Sequence, residues 1–206
     1  MKKGNYVILS GPEGSGKTTI AQYLQEVRPN ALFVREPGKS PLAERIRAIL
    51  LDPAIGEMTP RQEFHFFMTA RLDVIIHEVQ PARWRGQDVF SDRGWPETFA
   101  YQWWAGLKRR DLYRFLAEIE DEGIPFPDLW LYFDLIPEIG LQRRQSTAEV
   151  NRIDAQSLDY HRQVREGFRY LFERASFPRE MIDASQSQAA VKTATVSAIR
   201  KHLSIV

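Results

Sequence analysis

Two kinds of residue in this chain could do phosphate chemistry, and their spacing suggests that they meet. The first kind lies in Ile8-Leu9-Ser10-Gly11-Pro12-Glu13-Gly14-Ser15-Gly16-Lys17-Thr18-Thr19, an unbroken match to G-x-x-x-x-G-K-[ST]. Gly11, Gly14 and Gly16 let the backbone turn tightly, so successive N–H groups can point inward at a polyphosphate. Lys17 can then reach the β- and γ-phosphates, and the Thr18 hydroxyl suits Mg²⁺. The donor site predicted on this basis is Gly11, Pro12, Glu13, Gly14, Ser15, Gly16, Lys17, Thr18 and Thr19. The second kind is charge at the ends of apolar runs: Arg35-Glu36-Pro37-Gly38, Asp92-Arg93-Gly94 and Phe133-Asp134. Each could be a surface turn alone. Two arginines beside a phosphate loop, however, suit a second phosphorylated substrate, because guanidinium pairs bidentately with phosphate oxygens.

The elements that must position these residues alternate in the α/β manner. Strands are predicted at Tyr6–Leu9, Leu32–Arg35, Asp88–Asp92, Leu129–Asp134 and Met181–Asp183. Near-continuous apolar runs such as 129–133 suit a parallel sheet covered on both faces. Helices are expected over 17–27, 41–51, 60–80, 97–120, 137–147, 154–175 and 187–202. The fold expected is a five-stranded parallel sheet flanked by helices, one domain spanning 1–206. Residues 142–154 are polar and arginine-bearing, either a solvated loop or a short lid over bound nucleotide.

Composition narrows the classes of partner. The 28 basic and 27 acidic residues leave a net charge of +1, which argues against bulk electrostatic binding to nucleic acid or membrane. There is no cysteine, so neither a disulfide framework nor a thiolate metal site is expected, in keeping with the cytoplasm. No apolar stretch approaches the length of a membrane span.

Further motifs, in order along most of the chain, carry a family resemblance. Arg35-Glu36-Pro37-Gly38 followed by Pro41-Leu42-Ala43-Glu44 is similar to REPGGTPLAE, and Phe67 to Arg71 resembles F-x-A-x-R. Asp92-Arg93 with Ala100-Tyr101-Gln102 matches D-R-Y-x-x-S-x-x-A-Y-Q. Residues 127–141 are similar to PDL-x-x-x-x-D-x-x-PE-x-GL, and Arg152-Ile153-Asp154 resembles the R-I-E that closes a lid. The chain thus resembles the thymidylate kinases, P-loop nucleoside-monophosphate kinases. The resemblance implies ATP- and Mg²⁺-dependent transfer to a deoxynucleoside monophosphate, with dTMP the leading acceptor, and a homodimer.

It also implies roles. Lys17, Arg93, Arg143 and Arg144 would act on the phosphates in flight, and Thr18 and Asp92 would hold the metal. The acceptor would lie against Arg35, Glu36, Pro37, Phe67, Arg71, Arg93, Glu97, Thr98, Tyr101 and Gln102. Phe67 would stack on the base, Arg71 would donate to a thymine carbonyl, and Tyr101 would fill the space of a ribose 2′-hydroxyl. Phe67 could equally be core, and Tyr101 could pack on Trp103 or Trp104. In the lid, Arg143 aligns with a family arginine, and Gln145 and Thr147 stand where bacterial members often carry more.

The departures fall where substrate choice is set. Ser10 replaces the usual Glu before the loop, Lys39 and Ser40 replace Gly-Thr, Gly94 replaces Tyr or His, and Glu97 replaces Ser. Drift explains these; so would a shifted substrate, since a carboxylate at 97 facing the base would prefer an amine-bearing base. Two other classes share the phosphate loop. A deoxynucleoside kinase would need a carboxylate base to take a 5′-hydroxyl proton. A non-catalytic nucleotide-binding protein would not need the intact Lys17, Thr18, Asp92 and basic lid.

Overall fold

The computed structural model of the chain describes residues 2–145, 152–153 and 155–203. Its centre is a five-stranded sheet in the order β2-β3-β1-β4-β5, parallel throughout. In chain order the elements are β1 (Tyr6–Ser10), α1 (Lys17–Val27), β2 (Leu32–Arg35), α2 (Pro41–Leu51), α3 (Pro60–Val74), α4 (Gln80–Trp84), β3 (Val89–Asp92) and α5 (Trp95–Thr98). They continue with α6 (Leu112–Asp121), β4 (Leu129–Asp134), α7 (Pro137–Gln145), α8 (Leu158–Arg174), β5 (Arg179–Asp183) and α9 (Gln188–His202). The five predicted strands are all present.

Strand alternation sorts the core into two layers. Tyr6, Ile8, Trp130 and Tyr132 face a large aromatic cluster built with α3, α8 and the segment after α5. Val7, Leu9, Leu131 and Phe133 face a smaller aliphatic one under α1 and α9. Because β3 lies between β2 and β1, with Arg35 beside Asp92 and Leu9 beside Asp92 in register, the charged ends of three strands open at one edge of the sheet. That is the crevice in which open parallel sheets bind ligands.

Three helix expectations need correction. The predicted 97–120 helix is two elements: α5 runs into a π-helical segment, Phe99–Gly106, and α6 starts afresh after Asp111, whose side chain caps it at Arg114 N–H. Lys108 takes a left-handed backbone between them (φ 54°), which no helix interior permits. The predicted 60–80 helix extends through a π-helical turn, Ile75–Val79, into α4; Pro81 lacks an N–H and would clash with the preceding turn, and the wider turn accommodates it. The predicted 154–175 helix begins at Leu158, where Ser157 supplies the cap to Tyr160 N–H. Of the expected lid, residues 146–151 and 154 lie outside the described residues, Thr147 among them.

Candidate active site

The phosphate loop is held from both sides. The α7 backbone packs so closely on it that a Cβ at Gly14 would come 2.2 Å from Gly140 O, and one at Gly140 would come 2.2 Å from Glu13 O. Gly14 also takes a left-handed φ of 71°, so glycine is needed there twice over. Lys17 folds back over the loop, its Nζ donating to Gly11 O (2.7 Å), Pro12 O (2.9 Å) and Ser15 Oγ (3.1 Å). Burial lowers its pKa, with Arg93 adding to the effect. These bonds hold the ammonium beside the space where loop amides converge.

Beside the loop stands the end of β3, tied to β1 by Arg93 N–H to Leu9 O at 2.9 Å. Thr18 Oγ1 donates to Asp92 Oδ2 at 2.7 Å, while Asp92 Oδ1 is buried without a partner. A hydroxyl and a carboxylate with a spare buried oxygen form a hard-oxygen set that fits Mg²⁺, which is held by few protein ligands plus substrate phosphates. Among the described residues no cluster of three or more His, Cys, Asp or Glu could cage a metal alone. The predicted metal pair, Thr18 and Asp92, is therefore brought together.

A cleft of about 600 Å³, part of it open solvent, lies next to this corner. Its lining includes Glu13, Glu36, Pro37, Phe67, Arg71, Arg93, Glu97, Tyr101 and Gln102. Phe67 is half-buried on it, whereas Phe64 from the same aromatic run packs into the core on Trp103 and Phe115. Arg71 is locked: Nε donates to Glu36 Oε2 (2.6 Å), Nη1 to Thr98 Oγ1 (2.7 Å) and Nη2 to Gly94 O (2.7 Å). Nη1 also donates to Met68 Sδ at 3.8 Å, so it is Nη2 that keeps a second N–H for a ligand to take. Tyr101 O–H donates to Glu13 Oε1 at 3.3 Å, so the phenol is both wall and polar contact.

The charges here are unusual. Glu13 pairs with Arg93 through both oxygens (3.1 and 3.3 Å). Burial would raise its carboxyl pKa, but Arg93, Lys17 and Arg144 hold it down to about 2. Glu36 is buried and spent: Tyr6 O–H and Ser91 Oγ–H donate to Oε1 (3.2 and 3.0 Å), Arg71 to Oε2. It therefore buttresses Arg71, with both oxygens engaged in structural bonds.

Four expectations change. Arg35 is exposed and does not line the cleft. On β2, Val34 turns in and Arg35 turns out, as alternation requires. In its place Arg47 of α2 joins Arg71 and Arg93 in the wall, donating to Pro37 O at 3.1 Å. Its pKa is lowered to about 10 by burial and by the nearby Arg35 and Arg93. The sequence held a signal for it: Arg47 follows Ala43 by one turn and precedes Leu50, both buried. Second, the two α7 arginines diverge. Arg143 Nη1 donates to Ala184 O (2.9 Å) and Gly14 O (3.4 Å), beside a hollow shared with Gly16, Thr19 and Gln186. Arg144 is the one close enough to stabilise the Glu13 carboxylate.

Third, the Glu97 carboxylate is turned towards backbone amides: Gly94 N–H donates to Oε2 (2.9 Å) and Gly11 N–H to Oε1 (3.3 Å). Fourth, Lys39 adds no charge to the cleft wall. It is exposed and held at φ 83°, a conformation glycine adopts more cheaply. The remaining departures have packing reasons. Ser10 Oγ accepts the buried Trp130 indole N–H at 2.7 Å. A Cβ at Gly94 would meet Ile8 at 2.9 Å. At the far edge of the cleft, Arg152 is ion-paired with Glu63 of α3, and Ile153 lines the wall.

Comparison with known proteins agrees with this geometry. The family model described as thymidylate kinase matches residues 9–195. The chain is 36% identical to a thymidylate kinase of Geobacillus sp. (strain WCH70), with 98% of each protein covered. It is 37% identical to one of Halalkalibacterium halodurans, with 100% of each covered. It is also 37% identical to one of Clostridium novyi (strain NT), covering 90% of this chain and 93% of that protein.

Proposed function

The chain belongs to the thymidylate kinase family, and from that premise we propose that it transfers the γ-phosphoryl group of ATP to dTMP, giving dTDP and ADP. The observation that carries the reading is the cleft itself: Arg93 and Arg47 face it while Glu36 has both oxygens engaged. A neutral nucleoside acceptor would need a free carboxylate to take its hydroxyl proton. An anionic monophosphate needs arginines instead.

Catalysis is then positioning and charge neutralisation. The phosphate loop and Lys17 hold the β- and γ-phosphates. Arg93, leaving Glu13 for the acceptor phosphate, aligns a phosphate oxygen for attack on the γ-phosphorus; that P–O bond forms as the bond to the β-phosphate oxygen breaks. Arg144 reaches the oxygens on which charge spreads. Phe67 takes the base face, Arg71 donates to the thymine carbonyl, and Tyr101 excludes a 2′-hydroxyl. Mg²⁺ held at Thr18 and Asp92 would supply further neutralisation of the bridging phosphates. Arg143 and the hollow beside Ala184 and Gln186 serve the donor's base.

The enzyme works in the cytoplasm as a homodimer, and the outward, exposed Ile76 and Trp84 on the extended α3–α4 rod support the homodimer. Sedimentation at micromolar concentration checks the dimer; a clean monomer ends it. The function is tested by kcat/KM across the four dNMPs and thymidine with ATP and Mg²⁺. dTMP should lead by about tenfold or more, because a mismatched base leaves Arg71 facing a donor. Thymidine should not react; a comparable rate on thymidine would reject the monophosphate reading, and another dNMP in the lead would reassign the base.

A further inference from the structure

Glu97 is a buried carboxylate, 7% exposed, that the transfer chemistry above does not use. Its two oxygens go to different parts of the fold. Oε2 accepts Gly94 N–H, the reach-back from the third residue of a helix to its cap. Oε1 accepts Gly11 N–H, 86 residues away in the chain, and that bond is no part of a helix cap. Gly11 opens the donor loop, and its carbonyl receives Lys17 Nζ. Gly94 ends the turn that carries Asp92 and Arg93, and its carbonyl receives Arg71. The residue after Glu97, Thr98, receives the same guanidinium.

We propose that Glu97 is a positioning residue for phosphoryl transfer, its carboxylate fixing the donor loop at Gly11 against the acceptor arm at Gly94. The proposal rests on the phosphotransfer reading of the site. In-line transfer tolerates little error in the separation of donor and acceptor. This bridge sets part of that separation through its bonds to two backbone amides.

Two N–H donors are best met by two full acceptor oxygens, which an ionised carboxylate offers, whereas protonation turns one oxygen into a hydroxyl that donates and accepts only weakly. Burial raises the Glu97 carboxyl to about 7, although Lys17 on α1, Arg93 on the turn, the Gly94 N–H and Arg71 on α3 all pull it down. Glu13 in the loop, Asp92 at the end of β3 and Tyr101 on the π-helical segment complete the titratable surroundings. The bridge therefore closes as pH rises through about 7. Stability runs the other way. A carboxyl raised in the folded state favours the fold below its unfolded pKa, and that contribution is lost as pH rises through its folded value.

The test compares the parent with Glu97→Gln and Glu97→Asp, reading kcat, both KM values and the Gly11 and Gly94 amide NMR shifts as a function of pH. In the parent, kcat should show an acid limb near 7, and both amides should titrate with that midpoint. Glu97→Gln keeps one acceptor oxygen: kcat should fall about tenfold with each KM within about threefold, because alignment and not substrate contact is lost. The limb and the amide titration should disappear. Glu97→Asp keeps the charge but reaches one amide; it should lose kcat similarly while keeping a limb. The proposal is overturned if folded Glu97→Gln stays within about twofold of the parent's kcat, or if the parent's Gly11 amide does not titrate. Should Glu97→Gln fail to fold, Glu97→Asp and the parent's amides decide. A parent inert on dTMP overturns the phosphotransfer reading and the positioning role with it, which an active parent with an equally active variant does not.

Discussion

Two strand ends on either side of β1 each carry an aspartate, and the fold uses them in opposite ways. At the end of β4, Asp134 is saturated: Arg165 donates from Nε and Nη2 (2.8 Å each), Tyr132 from its hydroxyl (2.7 Å), and Arg169 stands at 3.4 Å. At the end of β3, Asp92 receives Thr18 on one oxygen and has the other buried and open. An unmet buried acceptor costs about 1–3 kcal/mol. The difference separates a carboxylate that fastens α8 to the sheet from one whose open oxygen, on the proposed function, is kept for the metal that comes with ATP.

The largest effects should come from the open side. Lys17→Ala and Asp92→Asn should each cut kcat by about 10²–10³-fold, the range for losing one preorganised charge at a transferring group. Both should melt near the parent's temperature. Asp134→Asn should do the reverse, costing about 1–2 kcal/mol of stability while kcat stays near the parent value. Thermal melts and steady-state kinetics on all three variants check this. A stable, slow Asp134→Asn would erase the distinction.

Acid sensitivity sharpens the same contrast within the site. Glu13 is held down to about 2 in the folded protein. A depressed carboxyl contributes stability above its unfolded pKa, and loses it as pH falls from about 4.5 through about 2. The shift corresponds to about 3 kcal/mol. Unfolding free energy measured between pH 7 and 3 should fall less steeply in Glu13→Gln than in the parent. Parallel curves would place the Glu13–Arg93 pair among the weak surface bridges.

The paired α7 arginines come next. Arg144→Ala should lower kcat by about ten- to a hundredfold, since on the proposed function it removes a positive charge beside Glu13 that would face the transferring phosphoryl group. Arg143→Ala should chiefly raise KM for ATP, because its contacts are Gly14 O and Ala184 O. Equal loss of kcat in both variants would mean that the two side chains act together.

How much of this the sequence held depends on how local each signal is. The phosphate loop and strands were legible because a buried parallel strand is a near-continuous apolar run and the loop motif is contiguous. The break at Leu107–Asp111 was missed although Asp111 is an ordinary cap residue, because the aromatic run before it reads as unbroken helix. Glu97 was placed in the pocket with its aim left open, towards the base or away from it. Its reach to Gly94 is a local contact at a helix start, while its reach to Gly11 exists only once β1 and β3 are neighbours. Which α7 arginine faces Glu13 depends on helix rotation, about 100° per residue, which no short motif fixes.

The smallest contrast is between Arg47 and Arg35, two arginines near one phosphate position. Arg47 lines the cleft beside Arg93, and burial lowers its pKa, the mark of a cation kept in the wall against its own solvation. Arg35 is exposed at the sheet edge, where water and salt screen it. A charge-assisted hydrogen bond to phosphate contributes about 1.5–3 kcal/mol when it forms in such a wall. Arg47→Ala should therefore raise KM for dTMP by about tenfold or more, with kcat less affected. Arg35→Ala should move either constant by no more than about threefold, and that small effect should shrink further in high salt. Removing Arg35 also removes a like charge from Arg47, so the double variant should match Arg47→Ala alone. A double variant much weaker than Arg47→Ala would show Arg35 swinging in to clamp the phosphate once substrate is bound.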